Sequence, residues 1–267
     1  MKIHLRLVSI LFFAASNIAG CQQQTGTILV WRIFPDHAVI AADSKVSHTC
    51  PGVTNPIVGY DVCKILTFDD QYVFAATGYT GRFDPCQSSR RLWDVRQLTT
   101  QLYQEGKIST TDDFARKWAT KMNAVLSEDA RISPPSHHNG LVLGGLFIGI
   151  SKGQLSTEMV SFQLDRDGHA RPQLFVIHPS DQPDDAGEDR VLIEFEDNKT
   201  PRAKLWHRRI DKLKPDDQIA ALAKLVEDFE VSAGVGGPID SVRITPFGVQ
   251  WLSAKPECGP HPTKPRK

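Results

Sequence analysis

Five cysteines, at Cys21, Cys50, Cys63, Cys86 and Cys258, are the first residues whose chemistry constrains this 267-residue chain. A thiolate can ligate a metal, act as a nucleophile or join a second thiol in a disulfide. No Cys-x-x-Cys pair occurs, which argues against a zinc ribbon or a thioredoxin-like redox centre. His48, Cys50 and Cys63 have the spacing of no known metal site. His137-His138, after Pro134-Pro135, reads as a solvated loop, so neither metal nor cofactor is expected. The phosphate-loop, zinc-protease, nucleophile-elbow and dinucleotide motifs are all absent. Gly234-Val235-Gly236-Gly237 follows an expected helix rather than opening one, which reads as a tight helix-to-strand connection. Lys and Arg number 31 and Asp and Glu 31, and this balance excludes the basic excess of a nucleic-acid binder.

What the cysteines do depends on the compartment. Met1–Arg6 is basic, Leu7–Ala15 is continuously apolar, and small or polar residues follow at Ser16, Asn17, Ala19 and Gly20. This is the layout of a secretory signal peptide over residues 1–20, and the apolar run is short for a membrane span. Ile18-Ala19-Gly20-Cys21 resembles a lipobox, in which Cys21 is acylated and becomes the new N-terminus. The expected location is therefore outside the cytoplasm, either periplasmic or as a lipoprotein that meets the membrane only through its lipid anchor. Setting Cys21 aside leaves four cysteines in an oxidising compartment, enough for two disulfides with three possible connectivities.

These residues must be positioned by the elements around them. Thr27–Phe34 and Ala38–Asp43 read as a β-hairpin, and Cys63–Phe68 with Tyr72–Thr77 as a second, separated by a loop over Ser44–Asp61. The period then changes: Leu92, Val95, Leu98 and Leu102 predict a helix over Ser88–Glu105. Phe114, Trp118, Met122 and Val125 predict another over Asp112–Leu126, capped by Thr110 or Thr111. Leu141–Ser151 and Thr157–Asp165 predict a strand pair, Gln173–His178 and Val191–Phe195 further strands, and Pro215–Val231 a helix with Pro215 in its first turn. Ser241–Thr245 and Val249–Leu252 close the fold, before a Pro-rich basic tail over residues 255–267. The order predicts an α+β layered fold in one domain over residues 27–254. Cys50 and Cys63 bracket the end of the long loop, and Cys86 follows the fourth strand, so the expected bridges are Cys50–Cys63 and Cys86–Cys258.

Six stretches are suggestive when read together. Gly26-Thr27-Ile28-Leu29-Val30 opens the first strand, and Ala41-Ala42-Asp43-Ser44 ends the second. Cys63-Lys64-Ile65 starts the third, and Ala75-Ala76-Thr77-Gly78 ends the fourth. Gly236-Gly237-Pro238-Ile239-Asp240 and Ile244-Thr245-Pro246-Phe247-Gly248-Val249 lie near the end. From Thr27 to Leu252 the chain resembles the β-type subunits of proteasomes and their bacterial relatives among the N-terminal nucleophile hydrolases. Thr27 lies sixteen residues before Asp43, and Lys64 fourteen before Gly78, as in that family. The loop between Asp43 and Lys64 is longer than the family's.

The resemblance implies a four-layer αββα sandwich of two stacked antiparallel sheets. It also implies a threonine-type hydrolase that cuts peptide or amide bonds, with Thr27 as nucleophile, Lys64 and Asp43 as its electrostatic support and the Gly78 N–H in the oxyanion hole. A threonine hydroxyl is a poor nucleophile until a base takes its proton, and a free α-amine, titrating at roughly 7.7–8.0, suits that task. The family also includes non-catalytic α-type subunits, which implies the alternative of a lipid-anchored scaffold or binding protein. Homo-oligomers are compatible with either reading. Acylation of Cys21 is directly testable. Replacing Cys21 with Ser is expected to abolish incorporation of labelled fatty acid, and deleting Lys2–Ala15 to leave the protein in the cytoplasm.

Overall fold

The computed structural model describes residues 21–25, 28–34, 36–49, 57–59, 62–84, 87–106, 108–128, 141–164, 170–177, 190–193, 237–256 and 258. Strands β1 (Cys21–Thr25), β2 (Ile28–Ile33), β3 (Ala38–Ala42), β4 (Val46–Thr49) and β5 (Ile57–Gly59) come first. Strands β6 (Ile65–Phe68), β7 (Tyr72–Asp84) and β8 (Gln87–Asp94) lead into helices α1 (Val95–Gln104) and α2 (Thr111–Glu128). Strands β9 (Leu141–Ser151), β10 (Gln154–Leu164), β11 (Ala170–Ile177), β12 (Arg190–Ile193), β13 (Asp240–Thr245) and β14 (Gly248–Ser253) follow. The expected signal peptide, Thr27, Cys50, Cys86 and the expected helix Pro215–Val231 lie outside the described residues.

Turn chemistry fixes the expected hairpins. Asp69 and Asp70 have φ of 48° and 54°, and Lys152 and Gly153 have 53° and 73°. Consecutive positive φ values are those of a turn that matches strand twist, and a short polar side chain or none tolerates them best. Each turn thereby sets the register of the pairs that follow it, β6 with β7 and β9 with β10.

The strands form two sheets, one of nine strands with the path β11-β10-β9-β7-β1-β4-β5 and one of five with the order β12-β2-β3-β13-β14. Every pairing among the described residues is antiparallel. Strand β7 is the spine of the larger sheet. Its Tyr72–Ala75 stretch lies between β6 and β9, the β9 pairing continues to Gly78, and from Gly78 to Phe83 it pairs with β1.

Three expectations are corrected here. Residues 88–94 are strand, not helix: they pair with the far end of β7, and the helical period takes hold only from Val95. Asp94, extended at φ −148°, ends the strand and caps α1 by accepting from the Gln97 N–H at 3.0 Å. The loop over residues 44–61 carries β4 and β5, which pair with β1 and with each other. The sheet also takes in Cys21–Thr25, which lies ahead of the expected domain start at residue 27. The Gln22-Gln23-Gln24 run has no apolar alternation, so its strand is set by neighbours on both sides rather than by its own pattern.

Two cores hold the layers. Leu29, Trp31, Ile40, Ile65, Val73, Leu146, Ile148, Val242 and Ile244 pack between the sheets. On the other face of the nine-stranded sheet, Phe74, Phe147 and Phe162 meet Phe114, Trp118, Met122 and Leu126 of α2. Buried on both faces, these strands lack simple alternation. Trp118 stacks its edge on Phe147 and Phe162 and donates its indole N–H to Thr99 Oγ1 at 2.9 Å. Gly145 leaves the space for that ring, since a Cβ there would stand 2.9 Å from Trp118.

Thr110 caps α2, its hydroxyl accepting from the Asp113 N–H at 3.1 Å. Lys117 donates to Asp113 at 2.8 Å and, against the opposing effect of burial, holds that carboxyl below its ordinary value. The stabilisation from Asp113 is therefore present above the usual carboxylate range and is lost as the pH falls through the lowered value. Trp118→Ala empties the centre of the helix-side core and is expected to cost about 3–5 kcal/mol in urea unfolding.

Candidate functional site

Strand β3 is buried along its whole length in the middle of the five-stranded sheet, and its chain runs on into Asp43. Strand β6 belongs to the other sheet, and Lys64 immediately precedes it. The two side chains meet between the sheets: Lys64 Nζ donates to Asp43 Oδ1 at 2.7 Å, with side-chain exposures of 1% and 0%. Asp43 Oδ2 accepts from the Lys45 N–H at 3.3 Å. Two charges this far from water are tolerable only when paired and hydrogen-bonded.

Gly78 lies on the strand that Lys64 touches. Ala76 N–H donates to the Lys64 carbonyl at 3.3 Å, and Gly78 is two residues further along β7. It has φ +87°, a backbone state that disfavours any side chain. This is also where β7 changes partners, since Gly78 is opposite Leu143 on β9 and opposite Thr25 on β1. Glycine adopts that positive φ without strain.

Of the four residues that the resemblance singled out, Asp43 and Lys64 come into contact, and Gly78 lies on the neighbouring strand. Thr27 lies outside the described residues. The chain on either side of it is placed: Thr25 stands opposite Gly78, and Leu29 opposite Ala42, the residue before Asp43.

The cysteines are wired differently from the expectation. Cys63 is bonded to Cys258, with Cα atoms 5.3 Å apart, so Cys63 does not pair with Cys50 nor Cys86 with Cys258. Cys50 and Cys86 themselves lie outside the described residues. The reason is the path after β14, which returns to the start of β6: Lys255 Nζ donates to the Val62 carbonyl at 3.1 Å, next to Cys63. The bridge closes 195 residues, which in the chain-entropy picture stabilises by roughly 5 kcal/mol. The body of the fold thus reaches past the expected boundary at residue 254, and the tail is pinned by Cys258 as expected.

Sequence reasoning missed a second buried pair beside the first. Asp240, opposite Ala42 in the sheet, accepts from Lys255 Nζ at 2.7 Å and from the Lys255 N–H at 2.9 Å. Ser44 links the two pairs: it follows Asp43, accepts from Lys255 Nζ and donates to the Pro238 carbonyl. The four side chains hold two ammonium and two carboxylate groups and are neutral together. Lys255 opens the expected Pro-rich basic tail, at the part pinned by Cys258. The one available signal was its place three residues before a cysteine.

No family model matches the chain, and no curated protein matches its sequence.

Removing one charge of the central pair leaves the other buried without its counter-charge. Lys64→Met is expected to lower stability by about 3–5 kcal/mol, and Lys64→Met with Asp43→Leu by clearly less, as read from denaturant unfolding of the single and double variants.

Proposed function

We propose that the protein is an exported threonine-type hydrolase of proteasome-like fold that cleaves peptide or amide bonds. In this reading two helices outside the five-stranded sheet's neighbour have a counterpart in Pro215–Val231, which covers the other outer face and completes a four-layer αββα sandwich. What carries the reading is the buried Lys64–Asp43 pair, 2.7 Å across, at the end of the two sheets where β1 runs up to Gly78.

The chemistry assigns each residue one task. Thr27 Oγ attacks the scissile carbonyl carbon while its proton passes to the free α-amine of Thr27. The Lys64 ammonium, held by Asp43, favours loss of that proton by its positive charge. The new oxyanion accepts a hydrogen bond from the Gly78 N–H. Collapse expels the amine, which takes the proton, and leaves an ester on Thr27 that water hydrolyses. The same hydroxyl, attacking the Gly26 carbonyl, would free the α-amine in the first place. No metal or cofactor takes part in these steps.

One observation favours a second reading. Strand β1 is paired on both sides, with β7 and with β4, and it ends two residues before Thr27. A chain that keeps β1 attached keeps Thr27 internal and without a free amine. It would then be a non-catalytic, lipid-anchored binding protein on the same scaffold.

The N-terminus of the mature protein separates the two. The hydrolase is expected to begin at Thr27. Thr27→Ala should keep the fold and abolish both cleavage after Gly26 and hydrolysis of peptide substrates. Thr27→Ser should retain activity, and Lys64→Ala should lower it on the order of 100-fold. Mass analysis showing a stable product that starts at Cys21, without hydrolysis, selects the second reading.

A further inference from the structure

The second ion pair asks for an explanation that the hydrolytic reading does not contain. Lys255 is 8% exposed and Asp240 1%, and burying another ammonium and carboxylate costs several kcal/mol per ion before their attraction is counted. An apolar pair of similar volume would fill the same space without that cost. What an apolar pair could not do is hydrogen-bond three different chain segments from one atom. Lys255 Nζ reaches Asp240 on β13, Ser44 beside Asp43, and the Val62 carbonyl two residues before Lys64.

Those contacts converge on the central pair from both sides. Asp43 and Lys64 are 21 residues apart in sequence and belong to different sheets. Ser44 is the residue after Asp43, and Val62 and Cys63 immediately precede Lys64. One lysine side chain therefore ties together the backbone stretches that carry the carboxylate and the ammonium. The Cys63–Cys258 bond fixes the segment that supplies that lysine to the residue adjoining Lys64. The Pro238 carbonyl that accepts from Ser44 closes the arrangement, so the Ser44 hydroxyl has both a donor and an acceptor to orient it.

We propose that Lys255 is a positioning residue for the Asp43–Lys64 pair, held in place by the Cys63–Cys258 bond, so that the C-terminal segment sets the geometry of the candidate catalytic centre. This rests on the proposed hydrolase only for its effect on turnover, since the positioning itself can be read without any substrate. Lys255 touches no reacting atom. It acts through Ser44 and Val62 on the placement of Asp43 and Lys64.

The test uses the full mature protein and three variants, Lys255→Met, Lys255→Arg and Cys258→Ser. The first readout is the nitrogen-15 NMR signal of the Lys64 ammonium, identified by its disappearance in Lys64→Met. A buried, paired ammonium exchanges its protons slowly enough to be seen, and its shift reports its carboxylate partner. Lys255→Met and Cys258→Ser are expected to shift or broaden that signal while α2 amide protection stays as in the parent, and Lys255→Arg to restore it at least in part. An unchanged Lys64 signal in both Lys255→Met and Cys258→Ser overturns the proposal. So does loss of protection throughout the fold in both, because the segment is then general structural support. The second readout is peptide hydrolysis, where kcat is expected to fall roughly tenfold or more in Lys255→Met with KM within about twofold, and to recover in Lys255→Arg. A Lys64 signal shifted in the variants, with a parent protein that hydrolyses nothing, leaves the positioning standing and removes the hydrolase reading. A changed KM with unchanged kcat overturns the catalytic consequence.

Discussion

Asp43 and Lys64 meet at 2.7 Å in the gap between two sheets, each almost wholly removed from solvent. Charges so placed bind the layers to one separation and one register. A one-residue slip in the pairing of β3 or β6 within its sheet would displace the charged residue that adjoins that strand, and an isolated charge in that interior is prohibitively costly. The apolar packing between the sheets, from Leu29 and Ile40 to Leu146 and Ile148, is non-directional and would tolerate small displacements. The ion pair would not, and so it contributes less to net stability than to the uniqueness of the arrangement.

The rest of the sandwich serves that constraint. Strand β3 is central and buried, which makes its end at Asp43 a rigid platform. Strand β7 is the longest strand of the larger sheet, changes partners around Gly78, and bonds the Lys64 carbonyl through the Ala76 N–H. The aromatic core under α2 stiffens the same strand from the far side through Phe74. The C-terminal segment then closes over the two chain stretches that supply the charges, by a covalent bond at Cys63 and by the Lys255 ammonium. Site and fold are in this sense one construction: the residues with chemistry sit where strands end, and the packing behind them leaves those ends little freedom.

Much of this was legible in the residues. Apolar stretches with Asp69-Asp70 and Lys152-Gly153 between them announced their hairpins, because turn geometry is local. The helix over Thr111–Glu128 followed from its apolar period and its capping threonine. The association of Asp43 with Lys64 was legible only through a resemblance of spacing. By contrast, β1, β4 and β5 left little trace. A strand paired on both sides draws its stability from backbone ladders that any sequence can make, so Gln22-Gln23-Gln24 carries no mark of it.

Residues 88–94 show the same limit from another direction. Leu92 fits a helical period with Val95, yet the chain there is extended, because the far end of β7 offers a row of backbone partners that the local pattern does not record. The disulfide and the second ion pair are the clearest cases of what tertiary structure alone decided. Four cysteines in an oxidising setting allow three pairings, and loop length favours the short one, yet Cys63 joined Cys258 across 195 residues. Asp240 and Lys255 carry no local mark of their pairing, which the return of the chain beside Ser44 created. Composition, turn types and helix caps are properties of short segments, and the sequence by itself determined them. Which buried charge finds which partner depends on the path of the whole chain, and only the packed sandwich decided it.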